Sequence, residues 1–157
     1  MADDLRSSAG QSGADDSQNC TRYPEDFIKA VDDLIDNWEG GYVNDPHDPG
    51  GETNMGISKR QYPHVDIENL SRHEAIAIYY WDYWQKYNLD RIQDPQMRAK
   101  VFNMGVLMGM KTAELLAVGC DGIAAYRLVC ERHFQAIAIK HPLCARYLRG
   151  WTRRALA

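Results

Sequence analysis

The residues able to do chemistry gather in one stretch of twenty, Glu39 to Ser58. Five glycines and two prolines make it a set of turns, and between them stand Asp45, His47, Asp48, Glu52, Thr53 and Asn54. Paired carboxylates can serve acid–base hydrolysis, in which one group protonates a leaving oxygen and another deals with the carbon left behind. A metal reading is weaker, because His47 among Asp45, Asp48 and Glu52 fits no calcium-loop spacing. No metal and no cofactor is therefore expected.

Glu39 is the candidate acid. Upstream, Phe27, Ile28, Val31, Leu34, Ile35 and Trp38 recur at helical spacing, and Pro24 suits a first turn. Gly40 and Gly41 are expected to supply the left-handed backbone that ends this helix, placing Glu39 in its last turn. There the macrodipole is negative, and Trp38 adds apolar surface, so the carboxyl group is expected to keep its proton to higher pH than a free glutamate. An acid of that kind can donate to a leaving oxygen. Position alone fits an ordinary surface glutamate better. On these terms Glu39→Gln should remove activity and leave stability unchanged or slightly raised.

The loop decides between the two. Its run Glu39-Gly40-Gly41-Tyr42, then Asn44-Asp45-Pro46-His47-Asp48-Pro49-Gly50-Gly51-Glu52-Thr53-Asn54-Met55-Gly56-Ile57, resembles the loop motif of glycoside hydrolase family 108. These are N-acetylmuramidases found as phage endolysins and bacterial wall-release proteins. Met55 stands where the family usually has an aromatic residue. Val101 to Gly109 resembles a second family element, with Asn103 in place of the usual Asp and Leu107 in place of the usual Asn. Gly150-Trp151-Thr152-Arg153 is similar to a terminal family motif, so the resemblance spans roughly Asp26 to Arg154.

That resemblance implies an all-α, lysozyme-like single helical domain with a long Gly/Pro-rich catalytic loop. It implies cleavage of the β-1,4 bond between N-acetylmuramic acid and N-acetylglucosamine, with Glu39 as general acid, for host lysis or wall remodelling. For the second role, Asp48 and then Thr53 come after Glu39 at spacings similar to the Glu–Asp–Thr arrangement of the inverting lysozymes of T-even phages. Alternatively Glu39 acts with a water positioned by Thr53 or by backbone groups. Substrate contacts are expected from Tyr42, Asn44, Asp45, Asn54 and Asn103. The stretch Leu116 to Tyr126 is shorter than in the family, which makes residues 116–157 a reduced peptidoglycan-binding portion. Two other classes stay open: a peptidoglycan-binding module without catalysis, and an accessory to protein export.

The elements that must hold this loop read as helices throughout. Ser58 to Gln61 is expected as a short helical piece before Pro63. Ser71 with Glu74 forms a capping box for a helix running to about Tyr87. Its six aromatic residues from Tyr79 to Tyr87 are expected mostly in the core, with one or two lining a sugar groove. Asp94-Pro95 opens the next helix, in which Gly105 and Gly109 permit a close approach. Two more helices are expected over 111–118 and 123–139, and Pro142 opens a last one ending near Trp151. No strand of useful length and no internal repeat is expected.

The 157 residues suit one domain, 23–157, behind a polar arm, 1–22, expected to be disordered. Four widely spread cysteines show no C-x-x-C pair, so Cys120 and Cys130 are expected as buried thiols. Residues 1–36 carry nine acids against three bases, and residues 126–157 seven bases against one acid. An acidic total of −4 without a recognition motif excludes nucleic acid as substrate. The partner expected is the peptidoglycan glycan strand, met by a monomer without membrane insertion. The amino terminus lacks a basic-then-apolar leader. The expected route is therefore synthesis in the cytoplasm, holin-type or other non-classical release, and action in the periplasm or at the wall.

Overall fold

A computed structural model describes residues 22–44 and 51–157. The arm and the loop centre 45–50, with Asp45, His47 and Asp48, lie outside the described residues. The described chain is helical apart from one two-stranded hairpin, as expected of an all-α, lysozyme-like fold. Its elements are α1 (Glu25–Asn37), β1 (Thr53–Asn54), β2 (Ile57–Ser58), α2 (Arg72–Tyr79), α3 (Pro95–Met108), α4 (Met110–Ala117), α5 (Gly122–Lys140) and α6 (Ala145–Leu156).

The core grows from the apolar stripe of α1. Phe27, Val31 and Leu34 are fully buried, and Phe27 meets Trp84 edge-on at 5.2 Å and Phe102 at 6.0 Å. Burying each such side chain contributes about 1.5–3 kcal/mol, and edge-to-face geometry adds to it. The capping box of α2 forms as expected, Ser71 Oγ accepting from Glu74 N–H and Glu74 Oε2 from Ser71 N–H at 2.9 Å. Arg72 then ties α2 to α1 through Asp32 and Asp36. Gly105 makes room for Met110 of α4: a Cβ there would meet Met110 Sδ at 1.9 Å, and the methionine side chain would have to move aside.

Several boundaries move. The helix begun at Ser71 is α-helical only to Tyr79 and continues as a π-helix, Tyr80–Gln85. Ser58 to Tyr62 is a hydrogen-bonded turn and not a helix, Tyr62 N–H donating to Ser58 O. Gly109 faces open space, and its φ of +92° breaks the chain between α3 and α4. α6 runs past Gly150 and Trp151 to Leu156, because Trp151 stacks on Phe134 at 5.2 Å and Ala155 is buried. Cys130 is buried, Cys120 and Cys144 are partly so, and all three are free thiols.

Candidate active site

α1 ends without a glycine. Gly40 and Gly41 keep negative φ, and the helix closes through Trp38 and Glu39, whose N–H groups both donate to Leu34 O at 3.0 and 2.9 Å. Glu39 thus sits two residues beyond the last helical residue rather than in the last turn. The hairpin supplies its floor. Met55 (φ +47°) and Gly56 (φ +77°) form the two-residue turn between β1 and β2, with the left-handed backbone a tight hairpin needs. Met55 N–H donates to Gly40 O at 3.0 Å and Met55 O accepts from Tyr79 Oη at 2.8 Å, so both polar groups of one residue fix the turn. A Cβ on Gly56 would lie 2.7 Å from Glu39 Oε2 and 2.5 Å from Tyr79 Oη. Only glycine fits beneath this carboxylate.

From the other side comes an arginine near the far end of the sequence. Arg154 Nη1 lies 2.9 Å from Glu39 Oε1, with side chains 8% and 17% exposed. Arg154 Nε donates to Asn103 Oδ1 at 2.8 Å, and buried Lys100 Nζ donates to Arg154 O at 2.6 Å. Arg153 and Arg154 also stand over the Trp38 ring, at 5.2 and 5.8 Å. Glu39 is therefore an ion-paired acid held by a buried polar chain, and not the isolated acid that its place in α1 suggested. Lys100 is the member most perturbed by this burial. Desolvation, then the charge of Arg127, push its ammonium down to about 8.

Beyond Tyr79 a cleft of about 490 Å³ opens between two walls. Tyr62, Asp82, Tyr83 and Tyr87 line one, and Gly105 to Leu107 with Gly109 line the other. Tyr79 and Tyr83 are 5.6 Å apart, and Tyr62 Oη donates to Asp82 at 2.8 Å. Burial pushes all three phenols up, with Glu39's charge a further cause at Tyr79 and Tyr83, so they remain hydrogen-bond donors. The aromatic run divides differently from the mostly buried set expected: only Tyr79 and Trp84 are buried, Tyr80 is half-buried, Trp81 is exposed, and Tyr83 and Tyr87 face the cleft. A second cavity, about 480 Å³, lies on the Asn103 and Lys100 side, walled by Trp38, Asp33 and Arg127.

The residues expected to act do not all share one place. Tyr42 and Asn44 are exposed, with Tyr42 Oη donating to Glu52 at 3.0 Å. Thr53 Oγ1 donates to Gly51 O at 3.2 Å, which leaves its lone pairs able to accept. Asn54, expected at the substrate, donates to Ile67 O at 3.0 Å and anchors the hairpin. Asn103, also expected there, is buried against Arg154. Asp45 and Asp48 lie outside the described residues. Sequence reasoning missed Arg154, Lys100, Gly56 and Tyr79. One signal was available: Lys100 and Arg154 interrupt otherwise apolar faces, between Met97, Val101 and Met104 and between Trp151 and Ala155.

A sequence model described as Glycosyl hydrolase 108 matches residues 33–109, from mid-α1 to the end of α3. Among solved structures, the chain is similar to Brucella abortus SagA, with 25% identity and a TM-score of 0.61. That similarity covers 82% of this chain and 88% of that one. No curated protein matches the chain.

Proposed function

The chain belongs to glycosyl hydrolase family 108, and on that premise we propose that it is a lysozyme-type N-acetylmuramidase acting on bacterial peptidoglycan. The bond cleaved is the β-1,4 linkage from N-acetylmuramic acid to N-acetylglucosamine. The observation that carries this reading is the setting of Glu39: a largely buried carboxyl group, footed on a glycine turn and paired with a buried arginine, with Tyr79 between it and a tyrosine-walled cleft.

In this reading Glu39 protonates the glycosidic oxygen. As the proton leaves, negative charge builds on the carboxylate, and the Arg154 guanidinium already faces it without having to move. The positive character developing on the sugar carbon needs a partner. That role falls to Asp48, or to a water donating to the free lone pairs of Thr53. Tyr83 supplies a hydroxyl donor, and Tyr62 and Tyr83 supply ring faces, to the sugars. Leu107, lining the cleft where the family usually has asparagine, gives this wall an apolar contact in place of an amide. The enzyme acts at the cell wall as a monomer.

Digestion of purified peptidoglycan, with the products read by mass spectrometry, tests the proposal. New reducing ends on N-acetylmuramic acid are expected. Reducing ends on N-acetylglucosamine, or cleaved peptide bonds, overturn it, and wall binding without any product would mark a binding module.

A further inference from the structure

The corner joining α5 to α6 carries a surface that glycan cleavage leaves unused. Ile139 is 82% exposed and Leu143 88%, and Tyr147, one turn on, is also exposed. The inner face of α6 is already filled by Trp151 on Phe134 and by Ala155, so these apolar side chains have no place in the core. Lys140, Arg146 and Arg149 flank them in the chain, all exposed. Arg146 and Arg149 share one stripe of α6 by their spacing, and Arg153, further along it, stands over Trp38. Among the described residues none of Lys140, Arg146 and Arg149 stands in an ion pair with a carboxylate.

The chemistry of this patch selects its occupant. A second copy of the chain meeting it through the same face would set Lys140, Arg146 and Arg149 against the same charges, which repel. A glycan strand gains hydrogen bonds and ring stacking, and two bare aliphatic side chains offer neither. An anionic bilayer uses both halves of the patch, cations at the headgroups and Ile and Leu at the acyl boundary. We propose that residues 139–149 form a docking surface for an anionic phospholipid membrane, on which the protein lies without crossing. Among the described residues no helix is long and apolar enough to cross one. Each cation near such a surface is worth about fivefold in partitioning, so three reach the order of a hundredfold at low salt.

The proposal is independent of the glycosidase reading, because binding is read without hydrolysis. Full-length protein is floated with phosphatidylcholine vesicles and with vesicles that also contain phosphatidylglycerol. The expected result is a preference for the second of at least about tenfold, fading as salt is raised. The double variant Ile139→Asp/Leu143→Asp should lose that preference with its melting temperature and wall-cleaving activity unchanged. Arg146→Gln/Arg149→Gln should lose part of it. Equal binding to both vesicles, binding to neither, or a double variant that binds as well as the parent overturns the proposal. So does retention on isolated peptidoglycan that the double variant loses, which would assign the face to the wall polymer.

Discussion

Two clusters hold this molecule together by opposite means. Around Phe27, Trp84 and Phe102 the side chains are apolar, their edges meet faces, and any of them could be replaced by another shape of similar volume at modest cost. Around Glu39, Arg154, Asn103 and Lys100 the groups are polar or charged, and each is placed by the one before it. A buried ion pair gains little over an apolar core, but losing one member strands the other. The first cluster is built for stability. The second gives up stability to fix one carboxyl group in one orientation.

The sharpest break of that contrast is Glu39→Gln. With Glu39 as general acid, as proposed, its loss should lower wall cleavage by about 10²–10⁴-fold. The ion pair reverses the stability expected from the helix dipole alone. With Arg154 left on Asn103 and a neutral amide, the variant should lose about 1–3 kcal/mol in urea unfolding. A variant as stable as the parent would mean that the pair contributes nothing in solution.

Arg154→Ala and Phe102→Ala form the next comparison. Each should cost about 3–5 kcal/mol, the first by stranding Glu39 and the second by opening a cavity. Only the first should lower activity per folded molecule, read at a temperature where both variants are folded. Equal activities would deny Arg154 its part in positioning Glu39. Gly56→Ala comes third. A Cβ in left-handed backbone, pressed on Glu39 and Tyr79, should cost about 1–3 kcal/mol and lower activity beyond the loss of folded protein.

The smallest effect is a pH dependence. Lys100 titrates near 8 when folded against an ordinary 10.5, so between those values the unfolded chain binds more protons. The stability that Lys100 contributes must then rise as pH rises through that window. Urea unfolding of the parent and of Lys100→Met should show the gap between them shifting in the parent's favour from pH 8 to 10. A constant gap would place the ammonium in solvent.

The same division decides what could be read from sequence. Helical periodicity is local, so α1, the Ser71 capping box, the Asp94 cap of α3 and the aromatic core are set by neighbours a turn apart. The hairpin escaped because its strands have two residues each, too few for an alternating pattern. Glu39 was legible through its loop. Its surroundings were not, since Gly56, Tyr79 and Arg154 come from three distant stretches and meet only in the fold. Asn54 and Asn103 look like substrate ligands by residue type, yet both are taken up in holding structure.

The π-helix Tyr80–Gln85 has a consequence of its own. Such a turn is an α-helix carrying one residue more than the ladder needs, and the surplus is taken up within that one turn. Removing one residue from Tyr80 to Tyr83 would let the helix relax to regular winding while the residues beyond the turn keep their directions. Tyr87 would stay at the cleft, and Trp84 against Phe27 and Phe102. In this segment Trp84, which is fully buried, matters more than chain length. A deletion of one codon there should be better tolerated than Trp84→Ala.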